Sequence, residues 1–127
     1  MVHCTLKNVM AAAAEGRDFY ILLGDFLDEF YRSDTPTCQN MIDDCPIEGD
    51  VQVQTIHAAF AAATAHKLAN DYVLSVPAWV FEDQFYLEKP YFGGNAKGNL
   101  RWYFMYKSPS EFKHRNLFVC ENSLVRV

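Results

Sequence analysis

The sequence predicts an all-α fold, a compact single-domain helical bundle of residues 1–127 around a long central helix, with an irregular, aromatic-rich C-terminal half. Three observations predict it. The stretch from Asp50 to Tyr72 is dense in alanine and contains neither glycine nor proline. Apolar residues between Asp18 and Arg32 recur at spacings of three and four, which is typical of an amphipathic helix. Half of the 127 residues are hydrophobic, which suits one folded core and argues against disorder.

The central helix is predicted to begin at Asp50 and to end before Pro77. Asp50 can cap it, because a carboxylate accepts hydrogen bonds from the free N–H groups of the first turn. Val53, Ile56 and Phe60 begin an apolar stripe, and the alanines beside it would bury more than one face. A proline disfavours helical backbone in the residue before it. The expected helix has about 20 residues and a length of about 30 Å.

Two further helices are predicted ahead of the central one. The first covers residues 4–15, with Thr5 or Asn8 as its cap and Gly16 at its end. The second covers residues 17 or 18 to about 32, and its acidic side chains are expected to form a solvated face. The apolar residues of its buried face are Phe19, Leu22, Leu23, Phe26, Leu27 and Phe30.

Residues 33–50 are predicted to form a loop with a single turn near residues 39–44. The segment holds two prolines, one glycine and five acidic residues, which leave little room for regular structure. Cys38 and Cys45 stand close enough along this loop to form a disulfide. Reduced thiols are favoured, however, because no secretory signal is visible and the protein is therefore expected in the cytoplasm.

Beyond the central helix the chain is rich in aromatic residues and is predicted to be irregular, with a short helix near residues 83–86. Residues 100–107 can form a helix or a strand, and a helix is favoured because they include no β-branched residue. Ser108 is predicted to cap another short helix. Pro109 suits the first position of that helix, and Glu111 would complete a capping box.

Charge is distributed unevenly along the chain. Residues 1–63 carry three basic and ten acidic side chains, a net charge of −7, while residues 64–127 carry eight basic and six acidic side chains, a net charge of +2. The total of −5 and the pI near 5.2 make general nucleic-acid binding a poor interpretation. The asymmetry is explained either by two solvated faces or by a dipolar surface suited to a protein partner.

The sequence shows no recognisable pattern for catalysis, metal binding or cofactor binding. The four cysteines lack the close pairs of a zinc site, and the four histidines include no HExxH pair. The glycines of residues 93–98 lack the Gly-Lys-Ser/Thr ending of a phosphate-binding loop. Polar residues interrupt the central stretch, which excludes a membrane-spanning helix there. The prediction is therefore no cofactor, no metal and no membrane insertion.

A polar cluster in the otherwise apolar C-terminal half allows two interpretations. In the first, the basic residues cap helix ends or pair with nearby glutamates, and the asparagines form turns. In the second, the cluster recognises an acidic partner surface or a phosphate, because the arginine fork binds both in a bidentate manner. The candidate recognition residues are Arg101, Lys113, Arg115, Asn116 and Arg126, together with Trp79.

Residues 68–127 also resemble a family of short bacterial proteins. The runs LANDYVLSVPAWVFEDQFYLEKPYF and LRWYFMYKSPSEFKHRNLFVCENSLVRV are similar to its pattern of LA, PxW, P(Y/F)F, LR, SPxxF(K/R)xRNxFV and NxLxR. The matching positions are Leu68, Pro77, Trp79, Leu87, Pro90, Phe92, Leu100, Arg101, Ser108, Pro109, Phe112, Lys113, Arg115, Asn116, Phe118, Val119, Asn122, Leu124 and Arg126. Genes of this family often stand beside one for a nucleotidyltransferase-like protein, as in a toxin–antitoxin pair. The resemblance implies a small helical, antitoxin-like partner protein.

The functional expectation is a non-catalytic helical interaction protein of bacteria. Its expected partner is the protein encoded by the neighbouring gene, and the resemblance makes that partner a nucleotidyltransferase-type protein. The alternative is a small nucleic-acid-binding regulator that uses the basic C-terminal tail, against which the acidic pI counts. An enzyme is a distant third. Association into a homodimer is left open by the sequence.

Overall fold

The computed structural model describes residues 5–45, 55–92 and 98–119. Within these ranges the chain is mostly helical, which confirms the all-α class, and it adds one two-stranded parallel sheet. The α-helices are α1 (Leu6–Ala14), α2 (Phe19–Phe30), α3 (Thr35–Asp43), α4 (Thr55–Asp71), α5 (Asn99–Lys107) and α6 (Ser110–Lys113). Two 3-10 helices cover Ala78–Phe81 and Asp83–Phe85, and the strands are β1 (Tyr91–Phe92) and β2 (Leu117–Phe118).

The first two helices begin and end close to where their capping residues predict. The N–H group of Asn8 donates to the hydroxyl of Thr5 at 3.1 Å, and α1 ends just before Gly16, whose φ of +104° suits glycine. The carboxylate of Asp18 accepts from two N–H groups in the first turn of α2, which satisfies donors that have no partner inside the helix. The two helices pack against each other.

The prediction of a loop is wrong for residues 35–43, because they form α3. The carboxylate of Asp34 accepts a hydrogen bond from the N–H group of Thr37 at 3.0 Å, and Pro36 lies in the first turn. Both residues stabilise a helix when they stand at its start. The buried residues of α3 are Cys38, Met41 and Ile42. This spacing of three and four turns one apolar face towards the core.

Helix α4 has 17 residues and is therefore about 25 Å long. It contacts α1, α6 and both 3-10 helices. Its buried alanines, which let neighbouring elements approach closely, are Ala58, Ala59, Ala61, Ala62, Ala63, Ala65 and Ala69. The predicted cap at Asp50 and the first stripe residue, Val53, lie outside the described residues.

Helix α4 ends at Asp71, several residues before the predicted stop at Pro77. Val73 adopts a φ of +56°, and the N–H group of Leu74 donates to the carbonyl oxygen of Ala69 at 2.8 Å. This is the hydrogen-bond pattern of a Schellman motif, in which a left-handed residue closes the helix. The motif acts earlier in the chain than the proline, which is why the helix is shorter than expected.

Replacing Val73 with glycine is expected to raise the free energy of unfolding by about 1 kcal/mol. Left-handed backbone costs a residue with a Cβ about 1–2 kcal/mol, and the greater freedom of glycine in the unfolded chain offsets part of that gain. The Val73 side chain is 92% exposed, so little packing is lost. Urea denaturation of Val73→Gly should show this increase, and Val73→Ala, which keeps the Cβ, is the control. If the glycine variant were no more stable than the alanine variant, the left-handed backbone at Val73 would not be strained.

The C-terminal half is held together by a short parallel sheet. Tyr91 pairs with Leu117, and Phe92 pairs with Phe118. The rings of Phe92 and Phe118 stack with their centres 5.1 Å apart. Residues 99–107 form a helix, as predicted for residues 100–107, and the short helix expected near residues 83–86 is a 3-10 helix.

Ser108 connects the end of α5 to the chain after β2 and does not cap α6. Its buried hydroxyl accepts from the N–H group of Val119 at 2.8 Å and lies 2.5 Å from the carbonyl oxygen of Phe104. Helix α6 follows Pro109 without a side-chain cap. The predicted capping box of Ser108 and Glu111 is therefore wrong, because the hydroxyl is engaged inside the fold.

The core is one connected cluster of buried apolar side chains. Helices α1 to α4, both 3-10 helices, α6 and β2 all contribute to it. Helix α5 contributes no buried residue. Among the described α-helices it is the one without a buried side chain, and the strand β1 likewise has none.

Candidate functional site

Arg115 was a candidate for partner recognition, but it lies inside the fold with 0% of its surface exposed. Its Nη1 donates to the carbonyl oxygen of Glu111 at 2.9 Å, and its Nη2 donates to that of Val80 at 2.6 Å. The guanidinium carbon lies 4.9 Å from the centre of the Tyr86 ring. Within the described residues, its Nε finds no hydrogen-bond partner. Arg115 thus connects α6 to the first 3-10 helix.

His66 on α4 is a further neighbour of this guanidinium, because its Nδ1 lies 3.3 Å from Nη1 of Arg115. A guanidinium only donates hydrogen bonds, so Nδ1 is the acceptor and carries no proton. Burial lowers the pKa of His66, and the positive charge of Arg115 lowers it further. Glu111 accepts from the amide of Asn70 at 2.9 Å. Burial alone would raise the pKa of Glu111, but that hydrogen bond helps to bring it below the usual value.

The lowered pKa of His66 predicts that the fold loses stability in mild acid. The unfolded histidine titrates near 6.5 and the folded one at lower pH, so the unfolded chain binds more protons between these two values. The contribution of neutral His66 to the free energy of unfolding is fully present above about pH 6.5 and is lost as the pH falls towards the pKa of the folded state. Besides Arg115, the charged groups that act on His66 are Glu111 and His114. Burial also lowers the pKa of His57, which adds to the same loss.

Urea denaturation at about pH 7.5, 6.5 and 5.5 measures this dependence. The variant His66→Gln keeps a side-chain oxygen that can accept from Arg115 but cannot titrate, so its stability should fall less steeply over the same range. His57→Gln separates the contribution of the other histidine. A wild type equally stable at the two extremes, or a His66→Gln variant with the unchanged slope, would contradict the prediction.

Two other candidates also hold the fold together. Trp79 is buried, and its indole N–H donates to the carbonyl oxygen of Ile42 at 2.9 Å, near the end of α3. Asn116 has a φ of +62°, and its side-chain amide donates to the carbonyl oxygen of Leu87 at 2.8 Å. Asn116 is therefore the turn residue that the first interpretation expects. These contacts describe structural roles for both residues.

The remaining candidates include Arg101, which belongs to α5, and Lys113, which contacts the last turn of α5. The guanidinium carbon of Arg101 lies 4.8 Å from the centre of the Phe92 ring. The ammonium group of Lys113 donates to the carbonyl oxygen of Tyr106 at 2.9 Å. Arg126 lies outside the described residues. The structure thus places Arg101 on α5 and Lys113 next to it, while Arg115 and Trp79 are in the interior.

Helix α5 presents large apolar side chains to solvent. Trp102 is 70% exposed and Tyr106 is 77% exposed. Leu100, Tyr103 and Met105 are each exposed over roughly half of their surface. We call these five side chains the α5 surface. Large exposed apolar patches are rare on monomeric soluble proteins, and where they occur they mark interaction sites.

The helix is held on the fold by contacts at its edges. It packs against β2, and its end is fixed by the hydrogen bonds of Ser108. The charged residues within α5 are Arg101 and Lys107, both of them basic. The α5 surface is thus apolar, lies on a preformed helix and has two positively charged side chains beside it.

Trp102 and Tyr106 are not among the recognition residues that the sequence predicts. A signal for them was present, because apolar residues fill almost every position of the run LRWYFMYK. A helix of a globular domain normally has one apolar stripe and one polar face. A helix without a polar face is either buried all round or covered by a partner. The sequence alone does not separate these two cases.

The described residues offer little to a metal ion. Among them, no group of three or more histidine, cysteine, aspartate or glutamate side chains is placed to hold one. No helix in the described ranges is both long and apolar enough to cross a membrane.

The thiol of Cys38 lies in the core and contacts the carbonyl oxygen of Phe30 at 3.2 Å, and burial raises its pKa. A raised thiol pKa disfavours the reactive thiolate.

No protein-family model, no curated protein and no solved structure matches this chain in the comparisons. The resemblance of residues 68–127 to the family of short bacterial proteins therefore stays a prediction from its motif.

Proposed function

We propose that this chain is a non-catalytic helical interaction protein that binds a protein partner through the α5 surface. The observation that supports it is the exposure of Trp102 and Tyr106 on a helix that buries none of its own residues. Burying apolar area contributes about 25 cal/mol per Å², and aromatic side chains carry much of the binding energy of protein interfaces. A partner that covers α5 would gain this free energy.

The mode of binding is the insertion of a helix into a groove of the partner. A helix that is already formed loses little conformational entropy when it binds, which favours affinity. The bundle around the central helix α4 serves as the scaffold that carries α5. Arg101 and Lys107 flank the apolar side chains and favour a groove with an acidic rim.

The identity of the partner follows from the resemblance. It makes the chain a bacterial, cytoplasmic, antitoxin-like protein whose partner is a nucleotidyltransferase-type protein encoded by the neighbouring gene. Nucleic-acid binding through the basic C-terminal residues is the weaker candidate. Arg115, one of the residues it would use, is buried.

Co-expression with the neighbouring gene product, followed by size-exclusion chromatography, tests the proposal. The two proteins should elute together, and the double variant Trp102→Ala/Tyr106→Ala should elute alone. Tyr72→Ala is the matched control, because Tyr72 is a half-exposed aromatic residue at the end of another helix. Separate elution of the wild-type proteins would exclude this partner. Co-elution that survives the double variant would exclude α5 as the docking helix.

A further inference from the structure

A second exposed apolar patch lies close to the α5 surface. Ile21 is 64% exposed and Tyr20 is about half exposed, both in the first turn of α2. The phenol groups of Tyr20 and Tyr91 are hydrogen-bonded. The neighbour of Tyr91 in β1 is Phe92, which lies beneath the guanidinium of Arg101 at the start of α5. These contacts link the first turn of α2, through β1, to the start of α5.

The two patches carry opposite charges. The exposed Arg17 and Asp18 at the start of α2 offset each other, and the exposed Asp25, one turn beyond Ile21, leaves the α2 patch with a net charge of −1. Within α5 the charged side chains are Arg101 and Lys107. Two α5 helices from different copies would bring like charges together, which is unfavourable. An α5 helix placed on the α2 patch of another copy would join apolar surface to apolar surface and basic side chains to an acid.

We propose that, in the free protein, a second copy of this chain covers the α5 surface, with α5 of each copy packed on the N-terminal half of α2 of the other. This inference goes beyond the proposed function and does not depend on the identity of the partner. In the free protein α5 is therefore covered by the second copy, and a protein partner must compete with that copy for the α5 surface.

Symmetry and area both favour this arrangement. A two-fold axis uses the same surface of both copies, so two patches that β1 links in each copy would form two equal contacts and close the assembly. A stable interface covers about 800 Å² on each partner, and a fully covered aromatic side chain supplies about 150–250 Å². The three aromatic residues of α5 are already partly covered and fall short alone. The exposed side chains of Tyr20 and Ile21 on α2 add to this area.

Sedimentation equilibrium of the full chain tests the proposal over about 1–100 μM, a range suited to an interface of this size. The protein should sediment with twice the monomer mass of 14.6 kDa at the upper concentrations. Trp102→Ala/Tyr106→Ala should sediment as a monomer. Tyr72→Ala should dimerise like the wild type. A wild type that remains monomeric throughout, or a double variant that still dimerises, would overturn the proposal.

Charge exchange tests which surfaces meet. Asp25→Lys and Lys107→Glu should each raise the dissociation constant of the dimer about tenfold or more at low salt, and added salt should weaken the wild-type dimer. The combination Asp25→Lys/Lys107→Glu restores opposite charges across the contact and should recover most of the loss. The pairing of α5 with α2 would be overturned if the losses in dimer affinity simply added in the double variant. It would also be overturned if the single variants dimerised as tightly as the wild type. All these residues are exposed, and circular dichroism checks that each variant is folded.

Discussion

Replacing Phe60 with alanine is expected to lower the free energy of unfolding by about 3–5 kcal/mol. Only 7% of Phe60 is exposed, and its ring meets those of Phe19 on α2 and Phe112 on α6 at centre-to-centre distances of 6.0 Å and 5.0 Å. Truncation removes buried apolar surface and leaves a cavity where three helices meet. Urea denaturation followed by circular dichroism measures the change.

The matched control is Phe81→Ala. Phe81 is also an aromatic residue beside α4, where its ring lies 5.2 Å from that of His66, but it is 53% exposed. Because solvent can fill the space it leaves, the expected loss is within about 1 kcal/mol. If Phe60→Ala lowered the free energy of unfolding by no more than Phe81→Ala, the packing of Phe60 against Phe19 and Phe112 would be contradicted.

Replacing Arg115 with alanine is expected to destabilise the fold by about 3 kcal/mol. The carbonyl oxygens of Glu111 and Val80 would each lose a donor, and an unsatisfied buried group costs about 1–3 kcal/mol. The removed side chain would also leave a cavity. Relief from holding a charge in the interior offsets part of this loss. The result would assign Arg115 to the fold and not to partner recognition.

Two variants separate the contributions of Arg115. Arg115→Met keeps most of the side-chain length without donors, so its loss reports the hydrogen bonds. Arg115→Lys keeps the charge but lacks the planar fork that reaches two carbonyl oxygens at once, and it should also be destabilised. If Arg115→Ala instead left the unfolding curve unchanged and weakened a complex, the residue would be a recognition residue, as the second sequence interpretation expects.

Local signals predict α1 and α2 because everything that defines these helices lies within them. Thr5 and Asp18 cap their first turns, and the apolar spacing of α2 faces the core. Helix α3 had signals of the same kind, with Asp34 as the cap and Pro36 in the first turn. The five acids, two prolines and one glycine of residues 33–50 favour a loop by composition, but the positions of Asp34 and Pro36 favour a helix start. Its prediction as a loop shows that the position of a proline in a segment matters more than its presence.

The candidate site depends on contacts that are distant in sequence. Arg115 reaches the carbonyl oxygen of Val80, 35 residues away, and this makes a charged residue part of the interior. Trp79 reaches Ile42 over 37 residues. The helix at residues 100–107 was predicted from its residue types, but its exposure could not be, since it depends on where the rest of the fold is placed.

The most direct test of the α5 surface as a docking site is a quantitative pull-down from the native cell. Tagged wild-type protein, Trp102→Ala/Tyr106→Ala and Tyr72→Ala would be captured in parallel, and their companions would be counted by mass spectrometry. The account predicts a companion protein near one-to-one stoichiometry with the wild type and with Tyr72→Ala, and its loss from the double variant. Companions retained equally by all three proteins, or absent from all three, would contradict it.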